Sequence, residues 1–373
     1  MVTKKVMWHD SPVEAAWPDR IAAWEPDLTV RTARLTERAA GAVKRLGDRT
    51  AGSVEAAARL LLRAEGLASS AIEGLRASVA DVALAEAAAT GSDDESTAAW
   101  VADNLAVVNG ALGTPGPLNV ATLLAWHARL MRNSPSIEAR HVGAWRDTLG
   151  WIGGANPLLA VHVAAPADAI AQMMDDLVSF VARDDVDPIT QAAVAHAQFE
   201  TIHPFADGNG RIGRVLIGWM LATRLGVNVP PPVSLQMARD VGGYQAGLTL
   251  YRQGMHDTWV SWFADAISHA SEESIDVLAS VAELQNQWQD AIGDLRADSA
   301  ARRVCAVLPE HPVVSTATVA GFLDISREAA RVALVALAER GVLEEIDGPV
   351  TRGRPQRWWE ARALLGLLGR GGR

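Results

Sequence analysis

His203-Pro204-Phe205-Ala206-Asp207-Gly208-Asn209-Gly210-Arg211-Ile212-Gly213-Arg214 gathers an imidazole, a carboxylate, a glycine-rich turn and two guanidinium groups between two helical stretches. Upstream, residues 188–202 have proline in the first turn and an alanine-rich apolar body, which predicts a helix, and Pro204 forbids its smooth continuation. Downstream, residues 211–225 are rich in Val, Leu, Ile and Met and stop at Gly226, which predicts a second helix. The turn Gly208-Asn209-Gly210 then feeds a helix N-terminus, where unpaired amides and the positive end of the helix dipole favour an anion. Arg211 and Arg214, three apart, share one side of that helix and add forks suited to phosphate oxygens. Asp207 would be repelled by a bound phosphate unless the two shared a divalent cation, and Mg²⁺ takes one or two carboxylates together with phosphate oxygens. His203 titrates near neutrality and suits the removal of a proton from an attacking hydroxyl.

This stretch resembles the active-site motif of the Fic family, His-x-Phe-x-Asp/Glu-Gly-Asn-Gly-Arg-x-x-Arg, with all eight specified positions in agreement. The resemblance implies transfer of AMP from ATP to a Ser, Thr or Tyr hydroxyl of a protein, with release of pyrophosphate. It implies His203 as general base, Asp207 as the Mg²⁺ ligand, and Gly208, Asn209 and Gly210 as an anion cradle. Arg211 and Arg214 would contact the phosphates, and Phe205 would pack inward to anchor the loop. The related Doc kinases carry lysine in place of Gly210 and transfer the γ-phosphate; glycine here implies nucleotidyl transfer.

Ser69 and Glu73, in Ser69-Ser70-Ala71-Ile72-Glu73-Gly74, lie four apart at the end of a helix expected from about Ser53. By themselves they read as an ordinary surface pair on one helix face. They also match the family's inhibitory pattern, Ser/Thr-x-x-x-Glu-Gly/Asn. That resemblance implies Glu73 on Arg214, blocking the productive γ-phosphate position, with Ser69 as hydrogen-bonding support. A carboxylate competing with a phosphate for one guanidinium is a switch whose strength is the difference in their affinities. Two alternatives remain at this point: removal of AMP from a modified protein, with Glu73 positioning a water, and a DNA-binding regulator that uses the pocket to sense nucleotide. Homodimer contacts that hold the inhibitory helix would shift the balance between states.

A length of 373 residues predicts two or three domains. A composition 49% hydrophobic but only 5% aromatic, with much alanine, predicts a mainly α protein of closely packed helices. The single Cys305 excludes an internal disulfide framework and any multi-cysteine zinc site. Lys4 and Lys5 have no apolar run behind them, and the longest apolar stretch, around residues 215–222, is too short to span a bilayer. A cytoplasmic location without a membrane partner is therefore expected. A net charge of -10 argues against general nucleic-acid binding by the whole surface.

The expected organisation is an N-terminal helical region over 1–112, a Fic-type bundle over 113–270, a helical connector over 271–300 and a C-terminal unit over 301–373. Trp8, Trp17 and Trp24, amid Pro12 and Pro18, read as an arm clamped onto the helical body. A helix over 29–46 should break at 47–52; helices over 97–112 and 120–131 should flank a turn at 113–117, after a polar loop at 90–96. His127 and His196 read as structural histidines. Residues 141–163, with glycines spread among Trp145, Trp151, Ile152 and Val161, predict a short β-hairpin. It resembles the Fic flap, so residues 145–161 would receive the protein substrate by main-chain pairing.

Residues 167–181 predict an amphipathic helix and 236–253 another, on which the resemblance puts Tyr244 beside the adenine; Trp259, Trp262 and Phe263 supply packing against the bundle. Three short helices over 302–308, 315–323 and 326–340, capped by Ser315 and Ser326, precede two strands over 342–359. This resembles a winged helix-turn-helix. Arg327, Arg331, Arg352, Arg354 and Arg357 would meet DNA phosphates, but Glu328, Glu339, Glu344, Glu345 and Asp347 dilute the field, and such domains also serve protein contacts.

Overall fold

The structure, a computed structural model, describes residues 1–50, 55–88, 96–114, 116–348 and 357–370. It opens with a hairpin rather than an irregular arm: β1 (Val2–Trp8) pairs antiparallel with β2 (Ser11–Trp17). The alternation that buries Val13 and Ala15 on either side of exposed Glu14 is a strand period, which the flanking prolines obscure in the sequence. The three tryptophans act separately. Lys4 Nζ sits 3.1 Å from the Trp17 ring centre, Trp8 joins a small cluster with Val13 and Val163, and Trp24 stands edge-on to Phe180 and His256.

Helix α1 (Val30–Thr50) runs through Gly47 instead of breaking there. A Cβ at Gly47 would come within 2.5 Å of Val227 Cγ1, so this glycine serves close packing and not termination. Next come α2 (Glu55–Ile72), α3 (Val79–Ala88), which the sequence did not lead us to expect, α4 (Thr97–Leu112) and α5 (Val120–Met131). Most of the loop expected at 90–96, and Pro115 of the turn expected at 113–117, lie outside the described residues. β3 (Trp151–Ile152) and β4 (His162–Val163) pair antiparallel, so the expected hairpin is reduced to two residue pairs with a long turn between them.

The central layer is α6 (Ile170–Val181), α7 (Pro188–Ile202) and α8 (Asn209–Leu225). Asp187 caps α7 by accepting from the Thr190 amide at 2.8 Å, and every residue from Ile189 to Ile202 is buried. A helix buried on every side belongs at the centre of the fold. The single helix expected over 236–253 is two, α9 (Val233–Arg239) and α10 (Val241–Arg252). Asp240 leaves helical geometry between them and caps α10 by accepting from Gly243 N at 2.9 Å.

Helix α11 (His256–Ala291) starts well before the connector expected from 271 and lies along α1. The C-terminal unit runs α12 (Ala300–Val307), β5 (Val313–Ser315), α13 (Thr316–Leu323), α14 (Arg327–Glu339), β6 (Glu344–Ile346), β7 (Trp358–Glu360) and α15 (Arg362–Arg370). Ser315 and Ser326 cap α13 and α14. The sheet is antiparallel in the order β5-β7-β6; Arg352 and Arg354 lie outside the described residues. One continuous apolar core joins the central helices to this unit through Trp288, Leu308, Val314 and Trp359. Among the described residues no helix is long and apolar enough to cross a membrane.

Candidate active site

Helix α7 ends at Ile202, and His203 takes the left-handed conformation (φ 51°, ψ 62°) while its amide closes the last turn on Phe199 O at 2.8 Å. A non-glycine residue in that region is disfavoured by about 1 kcal/mol or more, so its surroundings must hold it there. The loop behind it is tightly fixed. Asn209 Oδ1 accepts from Phe205 N at 2.8 Å and Asn209 Nδ2 donates to Phe205 O at 2.9 Å. The Phe205 ring is fully buried and stacks face to face on His127, centres 3.8 Å apart. Gly143 N donates to His127 Nδ1 at 3.0 Å, which leaves Nε2 as the donor to Asp207 O at 3.1 Å. His127 is thus structural, as expected, but it supports the loop directly. Asn209 contributes only its amide to any anion cradle, because its side chain ties the loop.

At Gly208 (φ 77°) a Cβ would lie 3.0 Å from Met131 Sδ, so both conformation and space require glycine. Helix α8 begins one residue later, two residues before the sequence pattern suggested. Asp207 has 42% of its side chain exposed; its Oδ1 accepts from Gly208 N at 2.6 Å and its Oδ2 accepts from the Ser136 hydroxyl. Among the described residues no group of three or more His, Cys, Asp or Glu forms a protein-only metal cage. A single reachable carboxylate beside a helix mouth fits Mg²⁺ that completes its shell with phosphate oxygens and water. Arg211 is buried, with Nη2 3.8 Å from Asp207 Oδ2 and 3.5 Å from Met131 Sδ, and burial lowers its pKa.

Burial, then the charges of Arg146 and Arg252, push His203 down to about 3, so its ring is a free base at neutral pH. Among the described residues its Nδ1 has no hydrogen-bond partner, and it stands 3.9 Å from Glu200 Oε2. Burial pushes Glu200 up to about 7. Sequence reasoning missed Glu200, Arg146 and Arg252. For Glu200 there was a signal, since it is the one acidic residue in α7. Arg252 sits on the second half of a helix that was read as continuous.

Arg214 is only 2% exposed and meets α2 with most of its guanidinium. Nε donates to Ser69 Oγ at 2.9 Å, and Nη2 donates to Ser69 O at 2.8 Å and to Glu73 Oε1 at 2.7 Å. Burial works against this cation, but Glu73, with Tyr244 and Glu200 nearby, holds its pKa above the ordinary value. Helix α2 is itself pinned from two sides. Glu65 accepts from Ser234 N at 2.9 Å and from the Ser234 hydroxyl, while Asn104 Nδ2 donates to Gly66 O and Ser70 Oγ, both at 3.0 Å. Glu73 therefore sits in the turn that directly follows a fixed helix, and its own side chain is 39% exposed.

Tyr244, expected beside the adenine, is turned into the core. It is 4% exposed, and its hydroxyl pairs with His196 Nε2 at 2.9 Å, inside a stack with Trp259 and Trp262. Helix α10 turns this side chain inward behind Arg214 because its apolar side packs on α7 and α11. Arg331 and Arg357 of the C-terminal unit are each paired with a carboxylate, Glu328 at 2.6 Å and Glu345 respectively. The flap region leaves Trp151, Leu158, Leu159 and Val161 exposed.

Residues 117–221 match the model of the Fic/DOC family. A protein from Caenorhabditis elegans called protein adenylyltransferase fic-1 is 31% identical over 118 residues, which is 32% of this chain and 21% of that protein. Protein adenylyltransferase Fic of Drosophila willistoni is 26% identical over 172 residues, 46% of this chain and 31% of that one. The chain thus spans between about a fifth and a third of these curated relatives. The crystal structure of a Fic family protein from Desulfovibrio desulfuricans superposes with a TM-score of 0.56 at 22% identity, covering 90% of this chain and 98% of that one. Fic-1 of C. elegans superposes at 0.51 and 20% identity over 67% of this chain and 74% of that one. The shared fold is therefore a mainly α Fic fold.

Proposed function

We propose that this chain, whose residues 117–221 form a Fic domain, is a protein adenylyltransferase restrained by its own Glu73. The observation that carries this is the convergence of a free-base His203, the carboxylate of Asp207 and the α8 N-terminus on one rigid loop. A Ser, Thr or Tyr hydroxyl would attack the α-phosphorus of ATP in line. The new O–P bond forms as the bond to the pyrophosphate oxygen breaks, the hydroxyl proton passes to His203, and pyrophosphate leaves. The amides of residues 208–210 and the guanidinium of Arg211 would hold the phosphates. Asp207, with Ser136 beside it, would hold Mg²⁺, which when bound neutralises phosphate charge. Arg214 is the cation suited to the terminal phosphate, and Glu73 now engages it.

The acceptor chain would lie along residues 145–161, where exposed backbone and apolar side chains support strand addition. Such recognition through main chain is indifferent to much of the target's sequence. The order helix, strand, two helices and two strands over residues 300–360 supports a winged helix-turn-helix. With Arg331 and Arg357 already paired, that unit suits a protein partner better than a DNA backbone; salt-dependent duplex binding would reverse this preference. A half-exposed Glu73 also favours one second function, hydrolytic removal of AMP with Glu73 orienting water.

The test is incubation of the chain with Mg²⁺, cell lysate and ATP labelled at the α or, separately, the γ position, beside His203→Ala. Label from the α position on protein, absent in the variant, is expected; label from the γ position alone would make the chain a kinase.

A further inference from the structure

The least explained charge near His203 is Arg146. It is 2% exposed, and among the described residues its guanidinium touches no carboxylate. All its partners among the described residues are main-chain carbonyls. Nε donates to His203 O at 2.8 Å and Nη2 to Ile202 O at 3.3 Å, so the fork closes the open end of α7. Those carbonyls form the negative end of a helix and lack partners within it, so a cation satisfies them twice over. Nη1 donates to Thr148 O at 2.7 Å and Nη2 also donates to Ala165 O, while the Arg146 amide donates to Pro204 O at 3.0 Å. Thr148 lies just before β3 and Ala165 just after β4, so the same planar group grips both feet of the flap. Gly150 lies flat against it: a Cβ there would come within 2.9 Å of Arg146 Nε. Arginine alone among side chains offers five donors in one rigid plane, and lysine cannot bridge this span.

We propose that Arg146 is a positioning residue for the transfer reaction: its fork fixes the distance from the His203 backbone to the flap strands, and so delivers an acceptor hydroxyl to the base in register. This rests on the nucleotidyl-transfer function proposed above. Its charge has a second effect at the same place, since it disfavours protonation of the His203 ring. The other charged or titratable groups facing that ring are Glu200 from its own helix, Asp207 from the loop, Arg252 from α10 and His162 from β4.

The two effects separate in Arg146→Lys and Arg146→Gln, made in the full chain and checked for folding by circular dichroism. Both are expected to lower kcat for AMP transfer to protein by about 10- to 100-fold with KM for ATP within about twofold of wild type. Protonation of the His203 ring, followed by NMR as pH is lowered while the fold persists, should move to higher pH in Arg146→Gln and stay near wild type in Arg146→Lys. Lysine would thus restore the charge without restoring the rate, a split that simple destabilisation does not give. A wild-type rate in Arg146→Lys, or a rise in KM for ATP that matches the loss of rate, would overturn the proposal. Where only Glu73→Gly is active, the Arg146 variants are compared in that background. If neither the wild-type chain nor Glu73→Gly transfers AMP, the proposed function fails, and the acceptor role of Arg146 falls with it. The His203 measurement then still decides whether Arg146 acts on that ring.

Discussion

Glu73 Oε1 occupies the space that a Cβ on Gly210 would need, while Glu73 also holds Arg214 at 2.7 Å. The missing side chain at one residue and the carboxylate of the other are a single packing arrangement. Whatever dislodges Glu73 frees the second arginine of the loop and opens the mouth of α8 together.

Glu73→Gly should therefore raise AMP incorporation by about 10-fold or more, because a charge-assisted bond competing for Arg214 disappears. Incorporation from α-labelled ATP measures it. An unchanged or lower rate in a folded variant would remove Glu73 as a brake; release of AMP from a protein modified beforehand, measured separately, should fall in the same variant only if Glu73 serves removal.

Gly210→Ala should behave differently in two backgrounds. With Glu73 present, the new methyl meets a carboxylate that must move from a cation, and melting should report a loss of about 1–2 kcal/mol. With Glu73→Gly that loss should largely vanish, giving a coupling of similar size in a double-mutant cycle. Additive effects would show that the two residues do not share this space.

Chelation of divalent metal should abolish transfer, and Asp207→Ala should do the same at any Mg²⁺ concentration. Because Asp207 is partly exposed, the substitution should change unfolding stability by less than about 1 kcal/mol. Retained activity in Asp207→Ala would move the metal away from this carboxylate.

Glu200 makes stability depend on pH. Its pKa in the folded chain, about 7, lies above the ordinary 4.5, so its favourable contribution is complete below about pH 4.5 and is lost as pH rises through 7. The loss is on the order of 3 kcal/mol at about 1.4 kcal/mol per tenfold change in proton affinity. The partly buried His203 and the buried His196, both pushed down to about 3, act on the other side and withdraw stability as pH falls below about 6.5. In Glu200→Gln the part of the pH dependence of the denaturant midpoint that falls between about pH 4.5 and 7.5 should disappear relative to wild type; an unchanged dependence would place the proton elsewhere.

Much of the architecture was legible because helices carry their own signals. The central helices α7 and α8 follow from proline, glycine and an unbroken apolar run, and Ser315 and Ser326 mark helix starts by their chemistry. Gly47 misled because glycine's role in close approach leaves the same letter as its role in breaking a helix. The split at Asp240 was hidden because a capping aspartate in a polar stretch resembles a solvent-facing helical residue. In the site, the loop from His203 to Arg214 is local and carries its meaning in its spacing. Arg146 and Arg252 reach it from distant parts of the chain, and the burial of Tyr244 against His196 was not legible because a period of 3.6 says which residues share a face, not what that face meets. No spacing rule connects residue 146 to residue 203.

Helix α11 extends for 36 residues, about 54 Å, from Trp259 behind the His196–Tyr244 pair to Trp288 in the core shared with the last helices. Trimming the gene after residue 270 would saw through this beam in mid-span. The catalytic half would lose a brace it shares with α1, and the remainder would keep a stub with nothing to lean on.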